Sequence, residues 1–198
     1  MYKEKYMKKD EFYKLYWRQY QLLEKEVLDT DAYVTIDGKN SAAFSAQYVK
    51  LFLNLCSEID TLAEQLREMI AERHEDCDID TKGPTILKKI AAVKIEFEKL
   101  GEMYVITKAQ YDSWKNIPFL KFDDTSSDSW WRDYNLVKHY RNEMMEGSNK
   151  YNYEKANLKN TLKALSAFYL LCWLNNQFLD ENAPDLKSEI FETGYGLI

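Results

Sequence analysis

The chain has 198 residues, a length that suits a single domain with a substantial hydrophobic core. Its formal net charge of −6 gives no global attraction to nucleic acid or to an anionic membrane, so binding of a polyanion would need a local basic patch. Only six glycines and three prolines are present, which favours long helices with few turns. We therefore expect one domain over residues 1–198.

Cysteine usage and hydropathy bound the compartment. Cys56, Cys77 and Cys172 are scattered and form no C-x-x-C pair, which argues against a zinc ribbon or a dithiol redox site. A reducing cytoplasm is the expected location, because the N-terminus lacks the apolar core of a signal peptide. The most apolar run, residues 164–174, is too short to span a bilayer. Two histidines far apart argue against a histidine-based metal site, and we expect no metal, cofactor or membrane partner.

The first half of the chain predicts two helices. Apolar periodicity indicates a helix from an Asp10 cap to about Leu28. Residues 33–36, followed by the turn dipeptide Asp37-Gly38, predict a small hairpin or an extended connector. A long second helix is expected from about residue 42 to residue 73, opened by the cap residues Asn40 and Ser41.

Glu58 interrupts the apolar stripe of this second helix, since it lies seven residues after Leu51 and four before Leu62. A carboxylate on an apolar face is costly without a partner. We predict that Glu58 lies inside the bundle as a structural buried polar residue. The expected partner is Lys138, Arg132 or a Trp/Tyr donor of the helix that begins at Trp130.

The second half predicts three more helices and minor extended pieces. A third helix runs from Pro84 to about Leu100, with Gly101 as its C-cap. Residues 104–107 and 117–122 predict short strands around a bulge at residues 111–114. A helix from Trp130 stops at Gly147, and a last long helix covers about residues 153–179, followed by a loose tail over residues 182–198. The predicted fold is all-α, a bundle of about five helices with minor short extended or hairpin segments.

The most informative stretch is residues 130–141, WWRDYNLVKHYR. Read as a helix, it sorts into two faces. The apolar face holds Trp130, Tyr134, Val137, Tyr140 and Met144, and the polar face holds Asp128, Arg132, Asn135, His139 and Asn142. An arginine, an amide and an imidazole on one stripe can bind and cleave a phosphodiester. The same pattern is also typical of an ordinary solvated helix face.

Each polar residue of this helix has a candidate role. An imidazole titrates near neutral pH, so His139 is the expected general acid or base at a ribose 2′-hydroxyl. Arg132 would hold the phosphate and stabilise developing charge. Asn135 would orient the imidazole or a phosphate oxygen, and Asp133 could position Arg132 only by leaning across the helix.

Other residues could extend the site. Lys138 and Arg141 add positive charge and are the candidate substrate-binding residues. Trp130, Trp131 and Tyr134 could stack on bases, although aromatic residues at the start of such a helix more often belong to the core. The lysines at positions 150, 155, 159 and 163 indicate either a phosphate track or, more commonly, a solvated face.

This stretch resembles the core of the HEPN superfamily of helical bundles, whose hallmark is R-x4–6-H on one helix. Arg132 and His139 are separated by six residues, and the full string W-W-x-x-Y-N-x-V-K-H-x-R makes the likeness specific. Residues 44–60 and 155–171 also resemble uncharacterised bacterial relatives of this kind. A second copy of the short motif, Arg67 to His74, fits less well because Glu68 follows the arginine.

The resemblance implies an all-α fold, a homodimer that pairs two active helices, and metal-independent endoribonuclease activity, often within toxin–antitoxin or antiphage defence systems. The expected partners are a second copy, RNA and an antitoxin protein. Many members of the superfamily have lost catalysis, so an RNA-binding or scaffold module with the same stripe is the alternative. A weaker option is that the chain is itself an antitoxin-like partner protein.

Overall fold

A computed structural model describes residues 7–74, 79, 85–120, 122 and 129–193 of the chain. Within this part the prediction of a mainly α-helical bundle is confirmed. The helices are α1 (Lys9–Phe12), α2 (Arg18–Asp29), α3 (Ala46–Arg73), α4 (Ile86–Glu96), α5 (Trp130–Tyr140) and α6 (Leu158–Leu179). A π-helical turn (Tyr13–Trp17) joins α1 to α2, so these two form one continuous helix and the bundle has five. None of the described helices combines the length and the apolarity needed to cross a bilayer.

The core of the bundle is built around α3 and α6. α6 is apolar on almost its whole circumference, as its fully buried Leu165, Phe168 and Leu171 show, so it must lie at the centre of the bundle. α3 packs along it and also contacts α4 and α5. The Phe52 and Tyr134 rings meet edge-to-face with centroids 6.1 Å apart, which fixes α5 against α3.

A small antiparallel sheet closes one side of the molecule. Its strands are β1 (Val105–Thr107), β2 (Lys115–Asn116) and β3 (Phe191–Thr193), in the order β2-β1-β3. The strand predicted at residues 104–107 is confirmed as β1, but the strand predicted at residues 117–122 is wrong for residues 117–120 and 122, the part of that range that the structure describes. Asp112 and Ser113 adopt positive φ angles of 71° and 44°, and this tight reversal brings Trp114 back onto Thr107. The Trp114 amide donates to the Thr107 hydroxyl at 2.6 Å, so pairing starts at once, at Lys115.

The segment after α6 is ordered, and the prediction of a loose tail is wrong for residues 183–193. Glu24 of α2 is buried, and its carboxylate accepts hydrogen bonds from the Ser188 hydroxyl and from the amides of Glu189 and Ile190, the last two at 3.0 and 3.1 Å. β3 then follows directly and pairs with β1. Residues 194–198 lie outside the described part of the chain.

Several helix boundaries differ from the predicted ones because other residues supply the caps. α3 begins at Ala46, where the Ser45 hydroxyl accepts from the Tyr48 amide at 3.1 Å. The predicted cap residues Asn40 and Ser41 belong instead to a preceding 3₁₀ turn (Gly38–Asn40) and its end. The N-cap of α1 is Lys8 rather than Asp10.

The remaining boundaries follow the same principle. Residues 33–36 form the connector rather than a hairpin, with the Ile36 amide donating to the Asp31 carboxylate at 2.6 Å. α6 begins after Asn157, whose side chain accepts from the Asn160 amide, and not at residue 153. α4 ends at Glu96, and a 3₁₀ turn (Glu98–Gly101) completes the predicted third helix, whose Pro84 lies outside the described residues.

Cys56 and Cys172 are buried free thiols, and Cys77 also lies outside the described part.

Candidate functional site

The apolar face of α5 is part of the core. The helix starts at Trp130, because the Ser129 hydroxyl accepts from the Arg132 amide at 3.4 Å. Trp130, Trp131 and Tyr134 are all buried, and the Trp130 indole donates to the Pro118 carbonyl at 2.8 Å. The core interpretation of these aromatic side chains is therefore confirmed, and they are not available to stack on bases.

The opposite face of α5 presents the predicted polar stripe to solvent. Arg132 and His139 are exposed and Asn135 is half-buried. A seven-residue separation on a helix corresponds to two turns, or about 10 Å along the axis, on nearly the same face. None of these three side chains forms a hydrogen bond or ion pair with another residue of the described part of the chain. The His139 imidazole is in contact with the Tyr140 ring, and the two ring centroids are 6.1 Å apart.

The expected role of Asp133 in positioning Arg132 is wrong. The Asp133 carboxylate is 17% exposed and accepts from the Lys155 ammonium at 2.6 Å and from the side-chain Nδ2 of Asn160 at 2.8 Å. Asp133 points about 100° away from the Arg132–His139 stripe, which directs it toward the start of α6. It therefore joins α5 to α6. Lys155 is occupied in the same contact and does not contribute a free charge to a phosphate track.

Lys138 and Arg141 both lie at the surface beside the stripe. The Lys138 ammonium sits 5.4 Å from the centroid of the Tyr134 ring, a cation–π contact at the edge of the core. Burial raises the pKa of Tyr134, and the nearby Lys138 ammonium acts in the opposite direction. Arg141 is the first residue beyond α5, and its carbonyl accepts from the Tyr153 amide at 3.1 Å.

A short hairpin follows α5, and we call residues 141–153 the arm. Met144 and Tyr151 are directly paired across it, the Met145 amide donates to the Lys150 carbonyl at 2.8 Å, and Gly147 turns the chain with a φ of +69°. The prediction that Met144 lies on the apolar face of a longer helix is wrong, because α5 ends at Tyr140. Gly147, taken there as a helix stop, marks the hairpin turn.

Glu58 lies away from the stripe. It is half-buried, and its charge contributes to raising the pKa values of Tyr16 and Cys172, so it faces the side of α3 that meets α6 and the N-terminal helix. Cys56 lies two residues earlier and about 200° around the helix. Burial raises the pKa of its thiol, and the Lys138 ammonium of α5 acts on that pKa in the opposite direction. The Glu58 carboxylate forms no hydrogen bond with another described residue, so the predicted contact with Lys138, Arg132 or an aromatic donor of α5 is wrong. Burial raises its own pKa.

The second copy of the short motif is a structural element. The Arg67 side chain is 3% exposed and makes two hydrogen bonds to the Glu64 carboxylate, at 3.0 and 2.8 Å. The His74 Nε2 atom lies 2.6 Å from the Glu96 carboxylate at the end of α4. Neither side chain resembles the solvated pair on α5, which separates the two copies.

A described cavity lies away from the stripe. It has a volume of about 360 Å³, opens where the end of α2 meets the start of α3, and none of the stripe residues lines it. Its walls include Glu26, Asp29, Thr30, Tyr33, Val34, Ser45, Gln47 and Tyr48. In the described part of the chain, no three His, Cys, Asp or Glu side chains come together in an arrangement that could hold a metal ion. The candidate site is therefore an open helix face flanked by the arm.

Comparison of the chain with protein-family models, with curated proteins and with solved structures finds no match. The fold and the site together define a class, a mainly α-helical bundle with a solvated Arg/Asn/His stripe on one helix. Its chemistry has to be argued from these residues.

Proposed function

We propose that this protein is a HEPN-like, metal-independent endoribonuclease, with Arg132 and His139 as its catalytic pair. The observation that carries the proposal is that both side chains are exposed on one face of α5, two turns apart, without a partner among the described residues. Four other ionic side chains that the sequence analysis singled out are engaged in structural contacts: Asp133, Lys155, Arg67 and His74. A surface imidazole and guanidinium left unpaired in this way are free to engage a phosphodiester.

The proposed reaction is internal transesterification. The ribose 2′-hydroxyl loses its proton to a general base, its oxygen attacks the adjacent phosphorus, and the 5′-oxygen leaves with a proton from a general acid. The products are a 2′,3′-cyclic phosphate and a 5′-hydroxyl. The guanidinium of Arg132 stabilises the additional negative charge on the phosphate oxygens in the transition state.

One protomer offers one imidazole on the stripe, whereas the reaction needs a base and an acid. A homodimer that pairs two α5 helices across a two-fold axis supplies two His139 side chains and encloses the otherwise open stripe. We therefore propose a homodimer. Light scattering at micromolar concentration should report twice the 23.5 kDa of the chain, and a monomer alone would remove this part of the proposal.

The decisive experiment uses purified protein and single-stranded RNA in the presence of EDTA. Wild-type protein should cleave and leave 2′,3′-cyclic phosphate ends, and His139→Ala should abolish cleavage. Arg132→Ala should lower the rate by about a hundredfold, because a charge-assisted contact made in the transition state is worth roughly 3 kcal/mol. His74→Ala is the matched control, since His74 is bonded to Glu96 and its loss should leave the cleavage rate of the folded protein unchanged.

A non-catalytic RNA-binding or scaffold module is the second candidate. It is favoured by the open geometry of the stripe, where no described side chain orients the imidazole of His139. If wild-type and His139→Ala protein are equally folded and equally inert on RNA, this second function replaces the first. A toxin or antiphage role would add that expression in a bacterium slows growth in a His139-dependent way, and that an antitoxin protein relieves it.

A further inference from the structure

The end of α5 and the arm present large apolar side chains to water from a hydrogen-bonded backbone. Tyr140, at the end of α5, is 49% exposed, and Met144 and Tyr151 are 60% and 46% exposed. The backbone beneath them is fixed by hydrogen bonds from Asn152 to the carbonyls of Glu143 and Tyr140, at 2.9 and 3.1 Å. Exposed apolar side chains gathered on a hydrogen-bonded backbone characterise binding surfaces, because their unfavourable contact with water is removed when a partner covers them.

The geometry of these side chains suits flat ligands. Met144 and Tyr151 are directly opposite each other in a pair flanked by the bonds from Met145 to Lys150 and from Asn152 to Glu143, which is the narrow, non-hydrogen-bonded type of antiparallel pair. Their side chains therefore project side by side on one face of the arm. The Tyr140 ring lies 6.1 Å from the His139 imidazole, so a ring bound against Tyr140 is next to the candidate acid–base group.

The charge around these side chains is opposite to that of the whole chain. Four exposed cations lie on α5 and the arm against two exposed carboxylates and the half-buried carboxylate of Glu154, which accepts from the Tyr151 amide, on a protein with a net charge of −6. The cations are Arg132, Lys138, Arg141 and Lys150, and the exposed carboxylates are Glu143 and Glu146. This is the local basic patch that an acidic protein needs to bind a polyanion. Aromatic side chains interleaved with cations are the composition of surfaces that bind single-stranded nucleic acid.

We propose that the arm and the adjoining end of α5 form a docking site for unpaired RNA, in which Tyr140 and the Met144–Tyr151 pair stack on bases while Lys138, Arg141 and Lys150 contact phosphates. The inference rests on the proposed function, since it states how that site holds its substrate. Bases inside a duplex are already stacked and cannot reach these side chains, so the arm selects single-stranded segments.

The test measures binding separately from cleavage. The ligand is a fluorescently labelled single-stranded oligonucleotide of 2′-O-methyl RNA, which lacks the attacking hydroxyl, and the readout is fluorescence anisotropy at a fixed salt concentration. Tyr140→Leu and Tyr151→Leu should each raise Kd by about five- to a hundredfold, whereas the phenylalanine variants, which keep the ring, should bind like wild type. The matched control is Tyr33→Leu, since Tyr33 is 90% exposed on the connector between α2 and α3 and should leave Kd unchanged.

Charge variants test the phosphate contacts, because substitutions that remove and add positive charge should change the affinity for RNA in opposite directions. Lys150→Glu should weaken binding and flatten its dependence on salt, because one phosphate contact is lost. Glu146→Lys should strengthen binding and steepen that dependence. Competition with duplex RNA of the same sequence should be weak, and equal affinity for duplex and single strand would contradict the stacking contacts.

The outcomes separate the arm from the ribonuclease. If wild-type protein cleaves RNA and the leucine variants change neither KM nor Kd, the arm proposal fails and the ribonuclease stands; the supporting result is a raised KM with kcat unchanged. If wild-type protein is inert but the leucine variants lose binding to the oligonucleotide, the ribonuclease fails and the arm stands. If the leucine variants change the sedimentation coefficient but not Kd, the arm is a contact between copies and the proposal is overturned.

Discussion

Glu58 is placed where its charge is costly. Burial raises the pKa of its carboxyl, so over the pH range above the ordinary glutamate pKa the folded state binds more protons than the unfolded state. Stability therefore falls as pH rises from the unfolded-state pKa through the raised folded-state pKa of Glu58, and the cost is fully present above the folded-state pKa.

Removing this charge should stabilise the protein in a pH-dependent way. We expect Glu58→Gln to raise the free energy of unfolding at about pH 7 and to leave it nearly unchanged below the ordinary pKa of about 4.3. Urea denaturation of both proteins at the two pH values measures the difference. A loss of stability at neutral pH would instead show that the carboxylate makes a favourable contact.

Variants of Asp133 distinguish a structural role of its carboxylate from a catalytic one. We expect Asp133→Ala and Lys155→Ala each to cost about 1–2 kcal/mol, because they break the same partly buried ion pair between α5 and the start of α6. The double variant should cost clearly less than the sum, which a double-mutant cycle measures. The cleavage rate of the folded Asp133→Ala protein should be that of wild type, and a large fall in kcat would return Asp133 to the catalytic group.

At the scale of single elements, the start of α3 is set by one hydroxyl. Ser45→Ala should destabilise the protein by about 1 kcal/mol, since it removes the acceptor for the Tyr48 amide. Ser41→Ala, at the cap position favoured by the sequence alone, is the matched control and should be near neutral, because its hydroxyl makes no hydrogen bond to a described residue. Thermal unfolding of the two variants distinguishes the two starts.

The sequence predicts elements more reliably than their ends. The apolar stripes of α3 and α6 and the two faces of α5 follow from 3.6-residue periodicity, and the structure has each of these helices. Asn40, Ser41 and Ser45 are all good cap residues, and the choice among them depends on the 3₁₀ turn that Asp37 opens by accepting from the Lys39 amide. Local propensity does not contain that information.

The same limit applies to the candidate site. Periodicity correctly puts Arg132, Asn135 and His139 on one solvated face of α5. It does not reveal that Asp133 is taken by Lys155, because that contact depends on how a segment 22 residues later returns to the helix. Periodicity does not reveal the exposed arm for a related reason: Met144 continues the helical spacing of the apolar face of α5, and only the early end of α5 at Tyr140 makes Met144 and Tyr151 a surface pair.

At the scale of the whole molecule, one buried carboxylate holds the two ends of the described chain together. Glu24 accepts from Tyr20, Ser188, Glu189 and Ile190, and the last three lie just before β3. We expect Glu24→Ala to cost about 3 kcal/mol or more, because it leaves several buried donors without an acceptor. Glu26→Ala, an exposed carboxylate on the same helix paired with Lys50, should cost less than about 1 kcal/mol.

The measurement for Glu24 is urea denaturation followed by hydrogen exchange. Exchange should accelerate first at the amides of Glu189 and Ile190 and in β1, whose partner β3 is released. Uniform acceleration across α3 and α6 instead would mean that Glu24 contributes to global stability without a particular role in docking this segment.

The contact between Glu24 and Ser188 also determines when the nascent polypeptide can complete its fold. α2 is synthesised early, yet the donors for its buried carboxylate are made 164 residues later, and the Lys9–Asp180 ion pair is similarly delayed. Until that stretch emerges from the ribosome, α2 carries an unsatisfied charge and β1 lacks β3 along one edge, the kind of surface on which chaperones act. Translation must therefore pass residue 190 before this bundle can complete its packing, so α2 cannot reach its final contacts while the residues between Glu24 and Ile190 are still being made.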